Sequence, residues 1–143
     1  MSQLRLPYTS LSGEAYAGLA STKKALEKST LGKELIEFVY LRISQINGCA
    51  FCLEMHAKSL RTAGVDNAKI DALSGWKVSS RFNDKERAAL DWTEALVNVS
   101  ETFGKDSYFN PLKAHFSDTE ISDLTFAISL MSAFNRLAIG MRQ

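Results

Sequence analysis

The chain has 143 residues, which fits one domain spanning 1–143 and is long enough to bury a core without staples. Hydrophobic residues make up 45% and charged residues 23%, as in an ordinary soluble globular protein. Lys plus Arg is 17 against 16 for Asp plus Glu, a formal charge of +1, so nothing points to nucleic acid or an anionic membrane as a partner.

The first residues, Met1 to Pro7, lack the apolar stretch of a signal peptide, and the expectation is a cytoplasmic protein. Ser12 precedes Gly13-Glu14-Ala15-Tyr16 and predicts a helix N-terminus, with the helix running to about Glu27. After the break at Ser29–Gly32, a second helix starts near Lys33. Its apolar residues Leu35, Ile36, Val39, Ile43 and Ile46 are mostly three or four apart, which predicts one buried stripe. Asn47-Gly48 is a turn signal, and a third helix follows from about Ala50 to Thr62, closed by Gly64. Asp66 or Asn67 caps a short helix through Leu73. Asn83-Asp84-Lys85-Glu86 opens another helix, and Ser117-Asp118-Thr119-Glu120 has capping-box spacing before the last one. No stretch alternates with period two, so the expected fold is all-α, a compact bundle of about six or seven helices.

The longest apolar region runs from Leu124 to Phe134. Thr125, Ser129 and Ser132 interrupt it, and Asn135-Arg136 ends it. It falls short of the roughly 20 apolar residues needed to cross a bilayer. A helix apolar nearly all round is instead a core helix or an oligomer contact, and a homo-oligomer is expected.

The chemistry concentrates in Asn47-Gly48-Cys49-Ala50-Phe51-Cys52-Leu53-Glu54-Met55-His56. The chain has only two cysteines, three positions apart; a structural disulfide framework uses more, widely spread. The turn puts Cys49 at the mouth of the third helix and Cys52 in its first turn. Unpaired N–H groups and the positive end of the helix dipole favour thiolate there. His56 follows Cys52 by four residues, so the imidazole shares a helix face with the Cys52 sulfur and can take its proton. Cys52 is therefore the attacking thiol and Cys49 the one that closes a disulfide. A third group should orient His56 or receive its proton. Glu54 lies two residues from both Cys52 and His56 and points elsewhere; spacing alone does not separate Glu34 from Glu37.

The run Glu37-Phe38-Val39-Tyr40-Leu41-Arg42-Ile43-Ser44-Gln45-Ile46-Asn47-Gly48-Cys49-Ala50-Phe51-Cys52, followed by His56 and Gly64, resembles the core motif of the AhpD-like alkylhydroperoxidase family, within the carboxymuconolactone decarboxylase superfamily. Weaker likeness continues through Trp76, Glu86–Leu90 and Asn135-Arg136-Leu137. The resemblance implies an all-helical homo-oligomer that reduces a small peroxide through a sulfenic acid. It implies that Cys52 is the peroxidatic residue, Cys49 the resolving residue and proton donor, and Glu37 and His56 the proton relay. No bound cofactor is implied; the reductant is an external dithiol, a thiol or lipoyl-type partner. The best-known members carry a second His inside the motif, where this chain has Phe51.

Competing readings are a general disulfide oxidoreductase, a redox-sensing protein, a metal-binding module using Cys49, Cys52, His56 and Glu37, and a lactone decarboxylase. The metal reading lacks the second ligand pair that structural zinc sites take from a separate segment. Tyr40 and Phe51 are candidates to line the approach to the thiol, and Asn135-Arg136 to make buried or interfacial hydrogen bonds. Trp76 and Trp92 are expected in the core or at subunit contacts, and His115 in a structural or exposed position.

Overall fold

Helix signals recur along the whole sequence, and the computed structural model, which describes residues 3–143, turns them into helices throughout. In chain order these are α1 (Tyr8–Leu11), α2 (Gly13–Leu26), α3 (Lys33–Asn47), α4 (Ala50–Thr62), α5 (Asn67–Asp71), α6 (Asp84–Val97), α7 (Val99–Thr102), α8 (Asp106–Phe109) and α9 (Asp118–Met141). Short 3-10 turns lie at Leu73–Gly75 and Asn110–Ala114, and among the described residues there is no strand. The fold is all-α, as expected. The number of helices differs from six or seven because α1, α7 and α8 are pieces of four residues, too short for a periodic signal.

The helix ends follow local chemistry. Asn83 Oδ1 accepts from the Glu86 N–H at 2.8 Å, while the Asn83 N–H donates to Glu86 Oε1 at 3.0 Å, a complete capping box for α6. Ser117 and Glu120 form the same box for α9, at 3.1 and 3.0 Å. Asp66 caps α5 through the Ala68 N–H. Ser12 does precede α2, but its side chain makes no capping bond; its own N–H is taken by the Tyr8 carbonyl of the preceding turn.

α3 differs from the single-stripe expectation. Leu35, Ile36, Phe38, Val39, Tyr40, Leu41, Ile43 and Ser44 are all buried, so the helix is covered nearly all round. It packs against α4, α6 and α9, and apolar clusters form on two sides of it. Val39 and Ile43 join Leu112, Leu124, Ile128 and Met131 on one side; Phe38 and Leu41 join Leu60, Leu73, Phe82 and Leu90 on the other. Full burial of each such side chain contributes roughly 1.5–3 kcal/mol.

α9 also departs from the sequence reading. The apolar helix does not stop at Asn135-Arg136 but runs on to Met141, 24 residues in all, long and apolar enough by length and composition to cross a membrane. Here it is a packed helix of the core, against α2, α3, α4 and α6. Asn135 is tolerated inside because its amide is satisfied from α3: Nδ2 donates to Ser44 Oγ at 3.2 Å, and Oδ1 accepts from Asn47 Nδ2 at 3.1 Å. Trp76 and Trp92 are buried and His115 is exposed.

Candidate functional site

A tight turn sets the site. Gly48 takes φ +71°, a left-handed conformation suited to glycine, and the N–H groups of Gly48 and Cys49 both donate to the Ser44 carbonyl, at 2.9 and 3.1 Å. The chain thus leaves α3 and enters α4 within two residues, so the helices become packed neighbours. Cys49 is the N-cap of α4: its Sγ accepts from the Cys52 N–H at 3.3 Å. Cys52 lies in the first helical turn. Their Cα atoms are 5.3 Å apart, and the two sulfurs form a disulfide. Both are buried, at 1% and 2% exposure, and Ala138 of α9 packs against them.

His56, one turn further along α4, is 1% exposed. Its Nδ1 lies 2.8 Å from Glu37 Oε2 of α3, and the Glu37 side chain is 12% exposed. The structure therefore separates what spacing left open. Glu37 meets His56; Glu34 is exposed and 3.9 Å from Lys69, and Glu54 is exposed. A carboxylate only accepts, so Nδ1 carries the hydrogen and donates it to Glu37. In the neutral imidazole this leaves Nε2 as the acceptor. His56 Nε2 has no hydrogen-bond partner, and it is the only such buried side-chain nitrogen or oxygen among the described residues.

Tyr40 packs against the imidazole, with ring centroids 5.2 Å apart. Burial pushes the Tyr40 hydroxyl well above its ordinary value, and the nearby carboxylates Glu37 and Glu27 push it the same way, so it stays neutral and fixes the ring by packing. Sequence reasoning gave no role to Ser44 and read Asn47 only as part of the turn; both anchor the turn beneath Cys49 to Asn135. The signal was the polar pair facing an apolar helix, but only the fold pairs them.

Three cavities border the site: a small one of about 160 Å³ beside Cys49, and two larger ones. Cys52 is part of the wall of one, about 450 Å³, with Tyr8, Tyr16, Phe51, Met55 and Phe134, and with Lys23, Lys24 and Glu27 on its polar side. Glu37 and Tyr40 line the other, about 430 Å³, which shares Lys23 and Glu27 with the first. Of the two residues expected near the thiol, Phe51 thus borders the Cys52 cavity and Tyr40 the Glu37 cavity. The first cavity has walls the sequence did not suggest: the N-terminal segment folds back over the end of α9. The Arg5 N–H donates to the Met141 carbonyl at 2.8 Å, and the Tyr8 hydroxyl bonds to Gln143. As for metal chemistry, no group of three or more His, Cys, Asp or Glu side chains among the described residues is placed to hold an ion.

An all-helical fold arranged round a Cys-x-x-Cys helix defines the class. The chain belongs to the carboxymuconolactone decarboxylase family, whose model matches residues 12–95. Within it the likeness is to AhpD. The chain is 38% identical to a crystal structure of a protein of unknown function from Agrobacterium tumefaciens, suggested to be the antioxidant defence protein AhpD; the TM-score is 0.94, covering 99% of this chain and 97% of that one. A peroxidase-related protein from Ralstonia eutropha JMP134, described as an alkylhydroperoxidase AhpD core, shares the fold at 22% identity and a TM-score of 0.80, over 94% and 73% of the two chains. The uncharacterized protein YdfG of Bacillus subtilis is 28% identical over 141 residues, 99% of this chain and 95% of its own length.

Proposed function

We propose that the protein is a thiol-dependent peroxidase that reduces alkyl hydroperoxides through a Cys49–Cys52 dithiol–disulfide cycle. The observation that carries the reading is the unpartnered Nε2 of His56, on the same helix face as Cys52 and backed by Glu37.

In the reduced protein, Nε2 takes the proton of the Cys52 thiol, and the imidazolium is held by Glu37. The thiolate attacks the terminal oxygen of the hydroperoxide. The O–O bond breaks, Cys52 becomes a sulfenic acid, and the leaving alkoxide takes the proton back from His56 and departs as the alcohol. The Cys49 thiol then attacks the Cys52 sulfur and water leaves, giving the disulfide. An external dithiol, of simple thiol or lipoyl type, supplies the two electrons that reopen it; no bound cofactor takes part. It attacks Cys52, the sulfur on the wall of the larger cavity. Cys49 leaves as thiolate, stabilised by the Cys52 N–H and the start of α4.

A reducing compartment such as the cytoplasm suits this cycle. So does a homo-oligomer: Phe126 of α9, 60% exposed, and the exposed Val99 and Phe103 leave apolar surface that a second copy of the chain would cover.

The test is steady-state loss of cumene hydroperoxide with a dithiol reductant. Wild type turns over and Cys52→Ser does not. Cys49→Ser stops after one turnover with a trappable sulfenic acid. If reduced wild-type protein consumes no hydroperoxide, the peroxidase reading is wrong and disulfide exchange takes its place.

A further inference from the structure

The Cys52 cavity has a chemical character that bears on which hydroperoxide enters it. Tyr16 and Phe134 pack edge to face across its apolar side, with ring centroids 6.3 Å apart, and Phe51 and Met55 of α4 extend that surface beside Cys52. Cys52 itself is buried, whereas Lys24 and Glu27 are exposed and Lys23 is half-buried. The reactive sulfur is therefore at the deep end and the charges at the rim. Neither lysine is within 4.0 Å of a carboxylate among the described residues. Lys23 and Lys24 are thus unpaired ammonium groups on the exposed side of an apolar cavity of about 450 Å³, with Glu27 and Gln143 also in its polar wall. Ligand cavities of this size and mainly apolar lining use their few polar groups to orient what they bind.

We propose, resting on the peroxidase reading, that this cavity selects organic hydroperoxides that carry an apolar chain and one carboxylate, with the chain along Tyr16, Phe51, Met55 and Phe134 and the carboxylate at Lys23 and Lys24. The reaction at sulfur is unchanged: Cys52 takes the terminal oxygen, the O–O bond breaks, and the product is the hydroxy acid. The charge acts on binding and orientation. Because the lysines are at a wet rim, their effect is modest and screened by salt.

The measurement is single-turnover thiol loss from reduced protein, at low concentrations of linoleic acid hydroperoxide and, separately, of its methyl ester. The two differ only in the charge. The acid is expected to oxidise Cys52 about fivefold faster than the ester. That ratio should fall to about one in the Lys23→Gln/Lys24→Gln double variant, and to shrink in wild type as salt is raised to molar concentration. Equal rates for acid and ester in wild type at low salt, or a faster ester, would overturn the proposal while leaving the peroxidase reading intact. Cys52-dependent loss with neither hydroperoxide overturns the peroxidase reading and this proposal with it.

Discussion

Two polar clusters sit against α3, less than two turns apart, and they are finished differently. At Glu94 of α6 every partner is in place. The carboxylate accepts from Trp76 Nε1 at 2.5 Å and from Arg42 Nε at 3.5 Å, and Lys77 Nζ lies 3.7 Å away. At Glu37 and His56 the first bond is equally good, 2.8 Å, but the chain of bonds stops at Nε2. Leaving a buried polar atom unpaired costs about 1–3 kcal/mol, and folding alone gives no reason to keep it. The contrast separates a cluster that holds helices together from one that keeps a lone pair available. It also sorts expectations: damage to the first should appear in stability, damage to the second in chemistry.

The largest effect is expected at His56. His56→Gln keeps an amide N–H that can donate to Glu37 but removes the basic nitrogen. Peroxide turnover should drop roughly 10²–10⁴-fold, the range for loss of a general acid–base group. The melting temperature should stay close to that of wild type, because the bond to Glu37 is kept and the Gln carbonyl oxygen replaces Nε2 as an unpaired acceptor. A large loss of stability together with activity would break the comparison, since His56 would then be a structural residue like Glu94.

Glu94→Ala is the reverse case and a smaller one. It strands the Trp76 N–H and the Arg42 guanidinium, each largely buried, at a cost of about 1–3 kcal/mol. Urea denaturation reads that loss directly. Turnover per folded molecule should stay within about twofold of wild type; a fall comparable to that of His56→Gln would mean that the cluster also shapes the site.

How much of this difference was legible in the sequence depends on range. Cys49, Cys52 and His56 could be read together because helical spacing is local, and the turn at Asn47-Gly48 that sets α4 needs only neighbouring residues. Glu37 could not be separated from Glu34 by spacing, because the crossing of α3 and α4 decides which one reaches His56. Family resemblance chose it, and in the fold it is Glu37 whose Oε2 lies 2.8 Å from His56 Nδ1. The continuation of α9 past Asn135 was hidden for a similar reason: the partners that make a buried amide acceptable there, Ser44 and Asn47, are about 90 residues away in sequence. The fold class was legible from periodicity and from helix-start signals, one of them the capping-box spacing at Ser117–Glu120. The single-turn helices and the N-terminal wall of the Cys52 cavity were not, because tertiary contacts rather than local propensity hold them.

The smallest effect tests the comparison from its satisfied side, at the start of α9. The Glu120 carboxylate accepts from the Ser117 N–H and from Thr30 Oγ1. The backbone hydrogen bond from Ser117, helped by Thr30 and by the nearby Lys85 charge, holds its carboxyl below the ordinary glutamate value. A depressed folded-state pKa contributes stability that is complete above the unfolded value, about 4.3, and is lost as pH falls through the folded one. Thermal melts should therefore show wild type losing a small increment in acid that Glu120→Gln has already lost at neutral pH. Ser117→Ala, which removes the side-chain half of the box, costs about 1 kcal/mol at neutral pH. Neither variant should move the pH dependence of peroxide turnover, because every bond in this box is made within the folded chain and none ends on an atom left open to substrate. A shifted activity profile in Glu120→Gln would mean that complete and incomplete polar clusters cannot be assigned to stability and chemistry on hydrogen-bond count alone.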